Sequence, residues 1–206
     1  MFEEGFSVKR NKVYTVIYPL IWIYMKLFHP WKAVGAGNIP EGSAIICGNH
    51  TTLGDPLYVV CAMGSRRQTY VMAKAEIMKW PVIGFILKKA GIIGVNRGKS
   101  DMASVKECLR VLKNGEKLLM FPEGTRVKEG EASEAHTGAA MFATRTGTPL
   151  VPVYIQPQKR RFHKTLVVFG QPYQPEFEGR KPSSADYQRI ADDLLVRVRA
   201  LGEQTA

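Results

Sequence analysis

From Ser43 onward, short apolar runs bounded by Gly, Pro or Asn alternate with segments of helical periodicity. That alternation restricts the chain more than any other feature. SAIICGN (43–49), QTYVMA (68–73), GIIGV (91–95), KLLMF (117–121), PLVPVYI (149–155) and KTLVVFG (164–170) have the length and aliphatic content of buried strands. DPLYVVCAMG (55–64) reads as a helix opened by Asp-Pro and closed by Gly64, and residues 75–91 as a very apolar helix containing Pro81 and Gly84. Residues 100–115 place Met102, Val105, Leu109 and Leu112 on one face, with Ser100 or Asp101 as cap and Asn114-Gly115 as stop. Further helices are expected at about 136–147 and 183–201, the latter with Tyr187, Ile190, Leu194, Val198 and Leu201 in one stripe. Strands alternating with helices predict an α/β domain, a central mostly parallel sheet flanked by helices.

The first residues differ. After Lys9, Arg10 and Lys12 comes VYTVIYPLIWIYM (13–25), interrupted by Pro19 and followed by Lys26. The run is short for a membrane span, but Tyr14, Tyr18, Trp22, Tyr24 and Trp31 are side chains that favour a membrane interface. It predicts an interfacial or re-entrant helix pair bent near Pro19, with a core helix or a signal peptide as competing readings. The expected division is an N-terminal membrane-associating segment, 1–36, and an α/β domain, 37–206. A formal charge of +11 predicts attraction to phosphates, anionic lipid or nucleic acid, without choosing among them. Nucleic-acid binding is disfavoured because the strands are aliphatic rather than aromatic and basic. QKRRFHK (158–164), the one dense basic run, reads as a solvated loop, with contact to lipid headgroups as the alternative. The three cysteines form no CxxC motif and read as packed thiols; His29, His136 and His163 lack companions at metal-ligand spacing, so no metal site is expected.

Two stretches carry chemistry. GNHTTLGDP (48–56) places His50 and Asp55 just past a buried strand, where α/β folds present reactive groups. A carboxylate on one ring nitrogen would orient an imidazole to act as a base; alternatively Asp55 is only the N-cap of the helix that begins at Pro56. FPEGTR (121–126) sets Glu123 and Arg126 around Gly124 at another strand end, suited to an anionic group; alternatively it is only a turn with Arg126 on the surface. GIIGVNRGKS (91–100) has the wrong glycine spacing for a nucleotide P-loop and leaves Arg97 at a strand end, either a second candidate anion ligand or a solvated side chain.

Taken in order, GNHTTLGDP, GIIGVNRG, FPEGTR and PLVPVYI resemble the four motifs of the glycerolipid acyltransferase family, most of all its bacterial 1-acyl-sn-glycerol-3-phosphate acyltransferase branch, over about residues 30–172. The resemblance implies that His50 and Asp55 are the catalytic pair. It implies that Arg97, Glu123, Gly124 and Arg126 bind the glycerol phosphate, with Lys74 near it, and that Pro152 shapes a pocket. The implied reaction moves an acyl group from a thioester, of CoA or acyl carrier protein, to the 2-hydroxyl of a lysophosphatidate, with no cofactor. The implied partners are membrane lipid and the acyl donor, and the implied location is the cytoplasmic face of the cell membrane, peripheral or monotopic. Backbone amides at 51–54 are expected to stabilise the oxyanion, and the apolar stretch 77–87 to help dock the protein in one leaflet. The chain departs from the family's pattern at GVNR and at His136-Thr137-Gly138, where a lysine before the glycine is common. Other acceptors, such as glycerol 3-phosphate or another lysolipid, stay open, as does a basic membrane-binding module without catalysis.

Overall fold

The computed structural model describes residues 12–65, 68–79, 81–96, 101–126 and 134–204. Seven strands form one sheet: β1 (Trp31–Val34), β2 (Ala44–Gly48), β3 (Thr69–Lys74), β4 (Ile92–Val95), β5 (Lys117–Met120), β6 (Leu150–Ile155) and β7 (Thr165–Phe169). Their spatial order is β1-β7-β6-β2-β5-β3-β4. Every neighbouring pair is parallel except β6 with β7. β2 is central and buried throughout, as a parallel strand covered on both faces must be, which is why AIICG is apolar without alternation.

Among the described residues six helices cover the sheet: α1 (Lys12–Phe28), α2 (Asp55–Met63), α3 (Pro81–Lys89), α4 (Met102–Lys113), α5 (Gly138–Thr146) and α6 (Ser184–Glu203). On one face Met25 of α1 and Tyr58, Val59 and Cys61 of α2 pack on Ile46, Val151, Val153 and Val167. On the other, Cys108 and Leu112 of α4, Phe142 of α5 and Leu194 of α6 pack on Ile45, Cys47 and Leu118. The α4 cap is Asp101, which accepts the Ser104 amide; α6 begins with a reciprocal box in which Ser183 and Asp186 each accept the other's amide.

Three expectations change. The aromatic N-terminal run is not a bent pair among the described residues: one helix of 17 residues continues through Pro19, held by the burial of Tyr14, Tyr18 and Met25. The missing proline N–H costs one hydrogen bond, which tertiary packing outweighs. Residues 75–91 are not one helix but a tight turn at Ala75–Lys79 followed by α3, with Pro81 as first helical residue. Gly84 lies so close to the Met78 carbonyl that no side chain fits there. The sheet also gains β1, which pairs with β7 and begins within the segment that hydropathy marks off. Among the described residues no helix is long and apolar enough to cross a membrane.

Candidate active site

β2 and β5 are parallel neighbours, yet the helix after β2 lies on one face of the sheet and the helix after β5 on the other. Such a divergence opens a crevice outside the carboxyl ends of the two strands. His50 sits two residues beyond β2 and Glu123 three beyond β5, so both motifs open into this crevice. The Asn49 side chain fixes the approach: its amide donates to the Ile155 carbonyl at 2.8 Å and its oxygen accepts the Ile155 amide at 2.8 Å. It therefore continues the β2–β6 ladder past the last backbone pair. From the β5 side, Glu123 accepts the His50 backbone amide at 2.9 Å, and the Phe121 ring stacks on the imidazole with centroids 4.2 Å apart.

Asp55 is the first helical residue of α2 and fully buried. Its carboxylate turns back toward the loop rather than capping its own helix. Oδ2 accepts His50 Nδ1 at 3.0 Å and the Thr51 and Thr52 amides, each at 2.7 Å. Oδ1 accepts the Thr52 hydroxyl at 2.9 Å and the Lys159 ammonium at 2.7 Å. Burial alone would push this carboxyl up, but the hydrogen bonds from His50 and Lys159, the Lys159 charge and the Thr52 amide hold it at about 2. It is thus an anion at neutral pH and can only accept. The neutral imidazole must then carry its proton on Nδ1, which leaves the Nε2 lone pair to receive a proton.

The FPEGTR turn is built around Gly124, whose φ is 66° and whose amide donates to the Phe121 carbonyl. The left-handed backbone favours glycine, and the His136 ring fills the space a Cβ would need. His136, the departure noted in the sequence, thus closes against the turn, its own amide bonded to the Pro122 carbonyl at 2.8 Å. Arg126 follows the turn and is exposed. Lys74 ends β3 at the same carboxyl edge, exposed and paired with Glu76 at 3.2 Å. Arg97 lies outside the described residues; Asp101, the α4 cap, also accepts the backbone amide and side-chain amide of Asn96. Pro152 is buried in β6 on the α6 face, against Gly170, and the face of β6 toward α2 is formed instead by Val151, Val153 and Ile155.

Two readings of the sequence are corrected here. The Thr51 and Thr52 amides, expected as oxyanion donors, are committed to Asp55. Lys159, assigned with its neighbours to a solvated loop, has its side chain only 9% exposed and is ion-paired to Asp55. The signal was positional: β6 runs parallel to β2, so a cation four residues past Ile155 emerges at the edge that carries His50. Nothing in QKRRFHK itself separates Lys159 from the exposed Arg160 and Arg161. Cys47, Cys61 and Cys108 are free and buried, and burial pushes the thiols of Cys61 and Cys108 up to about 12, so none is poised as a nucleophile. Among the described residues no group of His, Cys, Asp or Glu converges as metal ligands would.

Over 136 residues the chain is 31% identical to a 1-acyl-sn-glycerol-3-phosphate acyltransferase of Borreliella burgdorferi, a match covering 65% of this chain and 54% of that protein. It is 30% identical over 128 residues to a lyso-ornithine lipid O-acyltransferase of Pseudomonas aeruginosa, covering 61% of this chain and 48% of the relative. The chain thus spans about half the length of these curated relatives. The crystal structure of a 1-acyl-sn-glycerophosphate acyltransferase from Thermotoga maritima shares the fold, with a TM-score of 0.71 over 97% of this chain and 84% of that one, at 24% identity. Residues 31–156, which contain His50, Asp55 and the FPEGTR turn, match the Acyltransferase family, and the chain belongs to that family.

Proposed function

We propose that this chain transfers a fatty acyl group from an acyl thioester to the 2-hydroxyl of 1-acyl-sn-glycerol 3-phosphate, giving phosphatidic acid for phospholipid synthesis. The observation that carries the reading is the His50–Asp55 contact of 3.0 Å at the β2/β5 crevice, with the proton assigned to Nδ1. His50 Nε2 takes the hydroxyl proton as the oxygen attacks the thioester carbonyl carbon. The tetrahedral oxyanion collapses with cleavage of the C–S bond, and the imidazolium returns its proton to the departing thiolate. No covalent acyl-enzyme is needed. Arg126 and Lys74 lie at or just beyond the carboxyl edge of the sheet and, with Arg97 as the resemblance implies, supply the positive charge for the acceptor's phosphate, whose binding energy positions the hydroxyl. The donor is acyl-CoA or acyl carrier protein.

An amphiphilic acceptor requires access to lipid. Val16, Leu20, Ile23 and Leu27 recur at helical spacing along α1 and are all exposed, as are Val82 and Phe85 of α3. The Lys26 ammonium lies over the Trp22 and Trp31 rings, a combination suited to the headgroup boundary. These support docking of α1 and α3 into one leaflet, at the cytoplasmic face in our reading.

The test is competition in detergent micelles. Purified protein receives labelled oleoyl-CoA or, in a parallel reaction, labelled oleoyl-acyl carrier protein, with equal amounts of 1-acyl-glycerol 3-phosphate, glycerol 3-phosphate and a lyso-ornithine lipid. Phosphatidic acid is the expected main product. Preferential acylation of another acceptor would leave the mechanism standing and replace the acceptor; no acyl transfer to any of them would refute the reading.

A further inference from the structure

We infer that Lys159 is a positioning residue for the His50–Asp55 pair, holding the carboxylate in register and offsetting its charge so that the imidazole remains a proton acceptor. The inference rests on His50 being the general base. Lys159 Nζ meets Asp55 Oδ1 at 2.7 Å, Thr51 Oγ1 at 2.9 Å and the Pro157 carbonyl at 3.5 Å. These are acceptors for all three of its protons, which is what a buried ammonium requires. By occupying Oδ1, Lys159 and the Thr52 hydroxyl leave Oδ2 as the oxygen that faces His50.

The charge balance points the same way. Asp55 lies on α2 beside His50, with Tyr58 of the same helix in its field. Glu123 reaches the His50 backbone from the turn after β5, where Phe121 contributes only an uncharged ring. Lys159, from the segment between β6 and β7, is the cation on the pair itself. Without it the buried Asp55 carboxylate faces the imidazole with no ammonium on Oδ1, which favours the imidazolium and removes the base.

The segment that carries Lys159 is held at both ends. Asn49 clamps Ile155, and Gln156 pairs with Leu166 through both its backbone amide and its side-chain oxygen. Further on, the Phe162 amide donates to the Phe28 carbonyl at the end of α1, with φ of Phe162 at 64°. The lysine is therefore delivered to Asp55 by anchored backbone rather than by a free loop.

The experiment compares wild type, Lys159→Met, Lys159→Gln and Lys159→Arg as full chains in detergent micelles. The glutamine keeps a donor for Oδ1 without charge, and the arginine keeps the charge. With lysophosphatidate and acyl-CoA, the methionine and glutamine variants are expected to lose up to about tenfold in kcat at neutral pH, the most that a one-unit shift of the acid limb removes. The acceptor KM should change less than about threefold. The acid limb of their pH–rate profiles moves up by about one pH unit, so much of the loss recovers at alkaline pH. Lys159→Arg should restore the position of the limb.

A second readout needs no substrate. In histidine-labelled protein, with the His50 signal assigned by its loss in His50→Ala, the protonation midpoint of that imidazole should be higher in the uncharged variants than in wild type. If wild type ignores lysophosphatidate, the proposed acceptor fails while this titration still decides the role of Lys159. If the methionine variant does not fold, the glutamine variant gives the same comparison. An unmoved His50 titration in the uncharged variants, or a loss of kcat that is the same at every pH, would overturn the inference and leave Lys159 a packing residue.

Discussion

Replacing Asp55 with Asn removes one charge and few atoms, and the structure predicts a large effect. The carboxylate accepts five donors, three at Oδ2 and two at Oδ1. A carboxamide must turn its NH2 toward one set. Toward Oδ1 it meets an ammonium that cannot accept; toward Oδ2 it meets two backbone amides that cannot accept either, together with His50. In the second orientation the imidazole can accept only by moving its proton to Nε2, which abolishes the base. Both orientations leave the nearly buried Lys159 without its counter-ion. Breaking a buried pair in this way costs about 3–5 kcal/mol, within the total of about 5–15 kcal/mol typical of a domain. Loss of tautomer control alone lowers kcat by about 10⁴-fold in serine-protease triads. For Asp55→Asn we expect a fall of about 10²–10⁴-fold in kcat and a urea midpoint well below that of wild type. Acyl transfer measured by release of free thiol, alongside urea unfolding, reads both quantities. Activity within tenfold of wild type at unchanged stability would refute the account of how the pair is held.

Other consequences follow from the same geometry. Asp55 falls from the ordinary 3.8 to about 2 on folding, so it adds about 2 kcal/mol that is fully present above about pH 4 and is lost as pH falls toward 2; urea titrations across that window should show a slope that Asp55→Asn lacks. Gly124→Ala forces a left-handed backbone on alanine and drives its methyl into the His136 ring. We expect a loss of roughly 1–3 kcal/mol in urea unfolding and a raised KM for the acceptor. Leu20→Glu places a charge in the exposed stripe of α1, where nothing is lost from the core. Sedimentation with phosphatidylglycerol vesicles should weaken on the order of tenfold or more while thermal stability holds within about 0.5 kcal/mol; unchanged sedimentation would remove α1 from the docking surface.

What was legible in the sequence divides by range of interaction. Apart from residues 75–91, the strands and helices after Ser43 follow from local pattern, because parallel strands buried on both faces need continuous apolar runs and their helices need caps. His50, Asp55 and Glu123 stand out in the sequence because the first two bound the loop after β2 and the third lies in the turn after β5, and the sheet brings those strand ends together. β1 was not: Trp31–Val34 is short, largely exposed, and becomes a strand only by pairing with Thr165–Val168 far along the chain. Lys159 escaped for the same reason, since its burial depends on β6 lying beside β2. The Thr51 and Thr52 amides were misassigned because the sequence places Asp55 near them without showing which way its carboxylate turns.

The most direct test of the central claim is the acylation of 1-acyl-glycerol 3-phosphate by wild type and His50→Ala side by side, with folding of both checked by circular dichroism. We expect phosphatidic acid from wild type and a loss of at least about 10³-fold in kcat/KM for His50→Ala. A folded His50→Ala that retains wild-type turnover would contradict the claim.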